Sequence, residues 1–267
     1  MYPIKKKDVL VVEGILFWIK EINWREREHM TFIIAGRSNK GAFIMADTMM
    51  SVIDSNGMTV EKYNERKIYW SHENFTILAG MNLLDISKNI FNRIENTKIN
   101  STNQYRDIYY EELEKFKKEN PDWDEKGYLN RQFIIYRSSD GIQLIILLEN
   151  EEHDICKVTN GIFYSLPGDI NESDYIESVD INYAWSLGNL KPYMQKFIDI
   201  SEQSEYVGEI CCLVIVNQWG KLDYYEGNMY ELFDNIRTGI VKSDITTLVR
   251  NRPRFIEAGI QKDVPEK

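Results

Sequence analysis

The stretch TFIIAGRSNKGAFIMAD, residues 31–47, decides how this chain is read. Two apolar runs, Thr31 to Gly36 and Ala42 to Ala46, flank Ser38-Asn39-Lys40-Gly41, a turn sequence with Asn and Gly to supply unusual φ angles. The pattern predicts a β-hairpin. Strands joined by so short a turn pair antiparallel, and an antiparallel sheet with one wet face alternates apolar with polar residues. Here the alternation is missing, which is the pattern of strands covered on both faces. The same continuous apolarity returns in Phe133 to Tyr136, in Gln143 to Leu148 and in Ile210 to Val216.

Working outward, Lys67 to Trp70 and Phe75 to Ala79 predict a second hairpin around Ser71-His72-Glu73-Asn74. Leu83, Ile86, Ile90 and Ile94 fall on one helical face; Tyr109, Leu113 and Phe116 do so in a second helix that Asn120-Pro121 stops. Residues 133–148 form a hairpin turning at Ser138-Ser139-Asp140-Gly141, and 172–203 reads as helix in two pieces, broken near Gly188 and restarted around Pro192. A last hairpin, Ile210 to Val216 with Lys221 to Tyr225, precedes a short helix. Strands buried on both faces need a partner sheet on one side and helices on the other. The expected fold is therefore α+β, a four-layer α/β/β/α sandwich of two antiparallel sheets, with a single-sheet α+β domain as the plainer alternative. Residues 1–30 are set apart as an N-terminal extension, 31–240 as the folded domain and 241–267 as a C-terminal tail.

Composition narrows the chemistry. The chain of 267 residues is 43% apolar and carries 32 basic against 42 acidic side chains, a formal charge of −10. That sign opposes a phosphate backbone, so no nucleic-acid partner is expected. Cys156, Cys211 and Cys212 lack the spacing of a metal or redox site, and they read as small apolar residues of a reducing cytoplasm. No membrane partner is expected either, because the most apolar N-terminal stretch, Val9 to Ile19, contains Glu13 and is short of the ~20 residues a bilayer needs. The three histidines, His29, His72 and His153, are scattered. They offer neither a zinc site nor a Ser-His-Asp triad, and no metal or cofactor is expected.

A hydrolase without histidine needs another base. An N-terminal threonine provides one, since its hydroxyl attacks while its own α-amine, of pKa about 7.7–8.0, takes the proton. Such a site also needs a carboxylate and an ammonium near the hydroxyl, and a backbone N–H for the oxyanion. Those parts occur in order: Thr31 opens the first strand, Asp47 ends the second, Lys67 opens the next, and Ala79-Gly80 closes an apolar strand before a helix. Taken singly, Asp47 could cap a loop and Lys67 could be a solvated strand-edge lysine.

Thr31-Phe-Ile-Ile-Ala-Gly, Gly41-Ala-Phe-Ile-Met-Ala-Asp47, Lys67-Ile and Ile77-Leu-Ala-Gly80 together resemble the proteasome β-subunit family of N-terminal-nucleophile hydrolases. The Met30-Thr31 opening is similar to its bacterial members, the heat-shock-locus peptidase and the ancestral-β-subunit homologue. The resemblance implies the proteasome-like fold over 31–240. It also implies Thr31 as nucleophile, Asp47 and Lys67 as its charge partners, and Gly80 as oxyanion donor. The family's Gly-Ser-Gly serine has two candidates, Ser165 and Ser186, of which Ser165 is preferred because Gly168 leaves room for two helices before Gly208. The family's Asp-x-x-Ser-Gly-Gly falls on Ser204-Glu205-Tyr206-Val207-Gly208-Glu209, so its aspartate and serine are replaced.

The function implied is a threonine endopeptidase in a homo-oligomeric ring, cutting peptides or unfolded proteins delivered by an ATPase unfoldase. The alternatives are a non-catalytic ring or scaffold subunit and a small-molecule amidohydrolase on the same fold. All catalytic readings require Thr31 to be freed from Met30. Residues 1–30 would be a cleaved propeptide, or translation would begin at Met30.

Overall fold

The computed structural model describes residues 31–53, 59–71, 75–81, 84–121, 130–148, 155–170 and 174–238, with two short strands at 11–12 and 15–16. The N-terminal extension and the tail from 241, like Leu83 and the turn at 72–74, fall outside the described residues, apart from those two strands.

The expected hairpin forms from β3 (Ile33–Ser38) and β4 (Gly41–Asp47). Its turn depends on Gly41, whose φ of +138° suits glycine and whose absent Cβ would lie 2.0 Å from the Val216 carbonyl oxygen. This hairpin is the centre of a six-stranded sheet. β12 (Gly161–Ser165) pairs with β3 and β14 (Ile210–Asn217) with β4, while β13 (Tyr175–Ser178) and β15 (Leu222–Asn228) form the edges. A five-stranded sheet runs β11 (Ile155–Val158), β10 (Gly141–Leu148), β9 (Arg131–Ser138), β8 (Thr76–Met81), β7 (Ile68–Ser71). Two further sheets have two strands each: β1 (Val11–Val12) with β2 (Ile15–Leu16), and β5 (Met49–Ile53) with β6 (Thr59–Asn64). Every pairing among the described residues is antiparallel.

Among the described residues the α-helices are α1 (Leu84–Glu95), α2 (Thr102–Glu119), α3 (Lys191–Gln203) and α4 (Met229–Thr238). Ile86, Ile90 and Ile94 of α1 and Tyr105, Tyr109 and Leu113 of α2 are buried against Leu78, Ile134 and Ile145 of the five-stranded sheet. Met194, Phe197 and Ile198 of α3 and Leu232 of α4 cover Phe32, Phe43 and Leu213. Between the two large sheets, Ile33, Ile44, Ala79, Phe133, Leu144 and Val214 share one core. Because β3, β4 and β14 are covered on both faces, they carry no polar alternation.

The architecture corrects the sequence expectation. The described chain is mostly β, with two large and two small antiparallel sheets beside four helices, and it is not a plain α/β/β/α sandwich of two sheets. Segments expected as loop or helix pair as strands instead. The link between Asp47 and Lys67 folds into the β5–β6 ribbon. Among the described residues of the helix expected at 172–203, the first piece is absent: Tyr175–Ser178 adds an edge strand to β12, and helical structure begins at the 3₁₀ turn Gly188–Leu190 that leads into α3. Tyr175 stacks on Tyr164 at 4.4 Å, a cross-strand aromatic pair whose partner lies outside any local sequence window.

Phe197 stacks on Phe32 with ring centroids 4.7 Å apart and ties α3 to the strand that carries Thr31. Phe197→Ala is expected to cost about 3–5 kcal/mol, the usual range for emptying a buried phenylalanine site. In urea unfolding this appears as a lower midpoint at unchanged slope.

Candidate active site

Thr31 lies just ahead of β3, Asp47 is the last residue of β4, and Lys67 immediately precedes β7. The first two belong to the six-stranded sheet and the third to the five-stranded one, so the site forms where equivalent ends of the two sheets meet. The Lys67 ammonium donates to Thr31 Oγ1 at 3.1 Å and to Asp47 Oδ2 at 3.0 Å. The Asp47 carboxylate also accepts the Phe32 N–H at 3.1 Å and the Met49 N–H at 3.0 Å. Thr31 is 2% exposed, Asp47 0% and Lys67 1%, which removes the solvated-lysine alternative, while Asp47 both caps the chain at Met49 and pairs with Lys67.

Burial works against charge on both members of this pair. It pushes the Asp47 carboxyl up, against the Lys67 ammonium and the two backbone N–H bonds that favour the carboxylate. It draws the Lys67 ammonium down, against the attraction of Asp47. A lysine made less basic in contact with a hydroxyl can take up and return a proton more easily than a solvated one. Burial pushes the Cys212 thiol up to about 12 and the Cys156 thiol to about 11, and raises Cys211 further, which disfavours the thiolate at all three.

Gly80 sits beside Lys67, but its N–H is donated to the Lys67 carbonyl at 3.3 Å. Its lack of a side chain has a packing reason as well. A Cβ there would lie 1.7 Å from Ser87 Oγ on α1. Ser165 is fully buried opposite Ile33, and no bond joins it to Thr31 among those seen. Its hydroxyl accepts from Arg131 Nη1 at 2.9 Å and meets Met81 Sδ at 2.9 Å. The other candidate serine, Ser186, lies before the 3₁₀ turn, its Oγ 3.4 Å from the Asn189 N–H. Thr31, Asp47 and Lys67 are thus brought together, Gly80 is adjacent through its backbone, and Ser165 belongs to a neighbouring cluster.

That cluster was not singled out from the sequence. Arg131 also pairs with Asp174, whose other oxygen accepts the Leu166 N–H at 2.8 Å. The available signal was a buried-strand position where Arg131 and Gln132 precede the apolar run FIIY. Near the replaced Asp-x-x-Ser-Gly-Gly, a carboxylate comes from another segment: Asp169 accepts the Ser204 hydroxyl at 2.8 Å and the Glu205 N–H at 2.7 Å.

No family model matches the chain, and no curated protein matches it. Solved structures do. An Anbu (ancestral beta-subunit) protein from Yersinia bercovieri superposes with a TM-score of 0.57 at 10% identity, over 84% of this chain and 98% of that one. The Anbu (Gly-1) mutant from Hyphomicrobium sp. strain MC1 gives 0.53 at 12% identity, over 79% and 96%. The helical assembly of the Anbu complex from Pseudomonas aeruginosa gives 0.51 at 9% identity, over 86% and 100%. Likeness at this identity is one of fold alone. The assignment to the proteasome β-subunit family drawn from residues 31–80 is corrected accordingly: the comparisons reach the fold of ancestral β-subunit proteins and no family membership. Among the described residues, no helix is long and apolar enough to cross a membrane.

The contact between Gly80 and Ser87 is testable by a double-mutant cycle. Gly80→Ala is expected to destabilise by about 1–3 kcal/mol through overpacking. Adding Ser87→Gly should recover most of that loss, and a strictly additive pair of denaturation midpoints would refute the contact.

Proposed function

We propose that this protein is a threonine hydrolase of peptide bonds in which Thr31, once freed from Met30, is the nucleophile. The observation that carries the reading is Lys67 Nζ within 3.1 Å of Thr31 Oγ1 and 3.0 Å of Asp47 Oδ2, with all three side chains buried. A buried ion pair aimed at a strand-leading threonine hydroxyl costs desolvation that simple packing would avoid. Its chemical use is to hold the hydroxyl, ease its deprotonation and stabilise the charge that develops on attack. The α-amine of a terminal Thr31 supplies the base. Gly80 offers the oxyanion N–H by exchanging its 3.3 Å bond to the Lys67 carbonyl for a substrate oxygen. Ser165 acts at one remove, through Arg131.

On this reading residues 31–240 are the catalytic unit, residues 1–30 are removed or lie ahead of the true start, and 241–267 form a peripheral tail. The substrate is a peptide or unfolded protein. The likeness to a chain seen in a helical Anbu assembly supports a homo-oligomer; closing into a ring, and taking substrate from an ATPase unfoldase, are further parts of the proposal. A non-catalytic scaffold subunit is the second reading. What favours it is that Thr31 is 2% exposed while Met30 occupies its nitrogen.

The protein beginning at Thr31 is expected to form a covalent adduct at Thr31 with an epoxyketone or β-lactone, located by mass spectrometry. The chain retaining residues 1–30 is expected to stay unlabelled. Labelling should rise with pH through about 7.7–8.0, as the amine loses its proton and becomes able to act as base, and then level off. Thr31→Ala abolishes the adduct and Thr31→Ser keeps part of it. Asp47→Asn slows labelling by about a hundredfold or more, ~2.7 kcal/mol of transition-state stabilisation. Lys67→Ala leaves the Asp47 carboxylate buried without its cation, so a stability loss of about 3–5 kcal/mol accompanies its loss of reaction. A terminal Thr31 that remains unlabelled and inactive on a broad peptide library would replace the enzyme reading with the scaffold one.

A further inference from the structure

We propose that Arg131 is a positioning residue that sets the separation of the two sheets at the Thr31 end; the inference rests on the hydrolase reading above. Thr31 and Asp47 stand on the six-stranded sheet and Lys67 on the five-stranded one, so the 3.1 Å contact between Lys67 and Thr31 spans two separately built sheets. Hydrophobic contact between sheets is non-directional and does not fix such a distance by itself. A directional link nearby does.

Arg131 makes that link. It opens β9 of the five-stranded sheet opposite Met81, the residue after Gly80. Its guanidinium crosses to Ser165 Oγ at 2.9 Å and to Asp174. Ser165 ends β12 opposite Ile33, two positions from Thr31, and its hydroxyl also contacts Met81 Sδ at 2.9 Å. Asp174 fastens the same strand end by accepting the Leu166 N–H at 2.8 Å. One planar cation therefore joins the strand next to Gly80 to the strand next to Thr31. Both bonds leave one nitrogen, Nη1, whose direction the planar guanidinium fixes, whereas an ammonium on its flexible stem turns freely.

The opposite end of the sheets supplies the control. There Arg37 of β3 donates to the Ile142 carbonyl of β10 at 2.7 Å and to the Thr159 carbonyl at 2.6 Å. It joins the same two sheets away from Thr31, and its replacement should weaken the fold without altering the site.

The test compares hydrogen exchange of the full chain as wild type, Arg131→Lys, Asp174→Asn and Arg37→Lys. Arg131→Lys and Asp174→Asn are expected to speed exchange at least tenfold over residues 79–81 and 32–33, and to leave the β9–β10 turn unchanged. Asp174→Asn keeps side-chain shape and decides the matter if Arg131→Lys does not fold. Unchanged exchange at 79–81, or an equal rise throughout both sheets as in Arg37→Lys, overturns the proposal. In the protein with a free Thr31, both site-end variants are expected to slow adduct formation about tenfold and to move its pH midpoint, with KM for peptides unchanged, whereas Arg37→Lys does neither. If the wild type itself forms no adduct, the hydrolase reading fails, and hydrogen exchange alone still confirms or overturns the positioning role.

Discussion

A lysine ammonium taken out of water must meet a counter-charge or lose its proton, and Lys67 meets one only because Asp47 arrives from a different sheet. That single requirement organises the structure around it. The carboxylate stays available to Lys67 because the N–H groups of Phe32 and Met49 hold it in place, and these come from the start of β3 and the start of β5. The lysine stays in reach because Ile68 anchors the following strand in the inter-sheet core. Replacing this pair by apolar side chains of similar size would leave a dry, well-packed junction of comparable or greater stability. The pair is kept nonetheless, at the point where a threonine hydroxyl lies within reach of the ammonium.

The neighbouring polar contacts share a logic. Directional bonds appear where the two sheets must be held at a defined spacing, at Arg131 on one end and Arg37 on the other, while apolar side chains fill what lies between. Asn130, Gln132, Ser87 and Ser165, all fully buried polar residues, lie in the segments at the end that carries Thr31. Low local dielectric strengthens each bond made there and penalises each one missed. A polar cluster under those conditions gives geometric definition at the expense of tolerance to substitution.

Much of the local structure was legible. The β3–β4 hairpin, the helices carrying Ile86 to Ile94 and Tyr109 to Leu113, and the β14–β15 hairpin all show in apolar runs and turn residues, which are short-range signals. The meeting of Thr31, Asp47 and Lys67 could be anticipated because two of the three share one hairpin. What escaped depends on distant partners. Tyr175–Ser178 is a strand because Tyr164 and its neighbours offer a free edge, a fact no window around 175 contains. The segment after Asp47 pairs with itself in a ribbon, and together with the short β1–β2 pair it makes the molecule more β-rich and less simply layered than the expected sandwich. Ser165 was chosen as a helper by motif position, but its partners are fixed by Arg131, a residue whose role depends on the opposite sheet. Gly80 also lacks a side chain because Ser87 fills that space, a packing reason that lies on a different element.

The strand order also sets a timetable. The β3–β4 hairpin is made early, yet both of its edges are covered by strands made late, β12 at residues 161–165 and β14 at 210–217. At ribosomal speeds of about 5–20 residues per second, the hairpin waits on the order of 10 s or more with its edges bare. An uncovered hairpin of largely apolar strands is a template for unwanted pairing during that interval. The same delay leaves Thr31, Asp47 and Lys67 without their surrounding strands until nearly the whole domain has emerged.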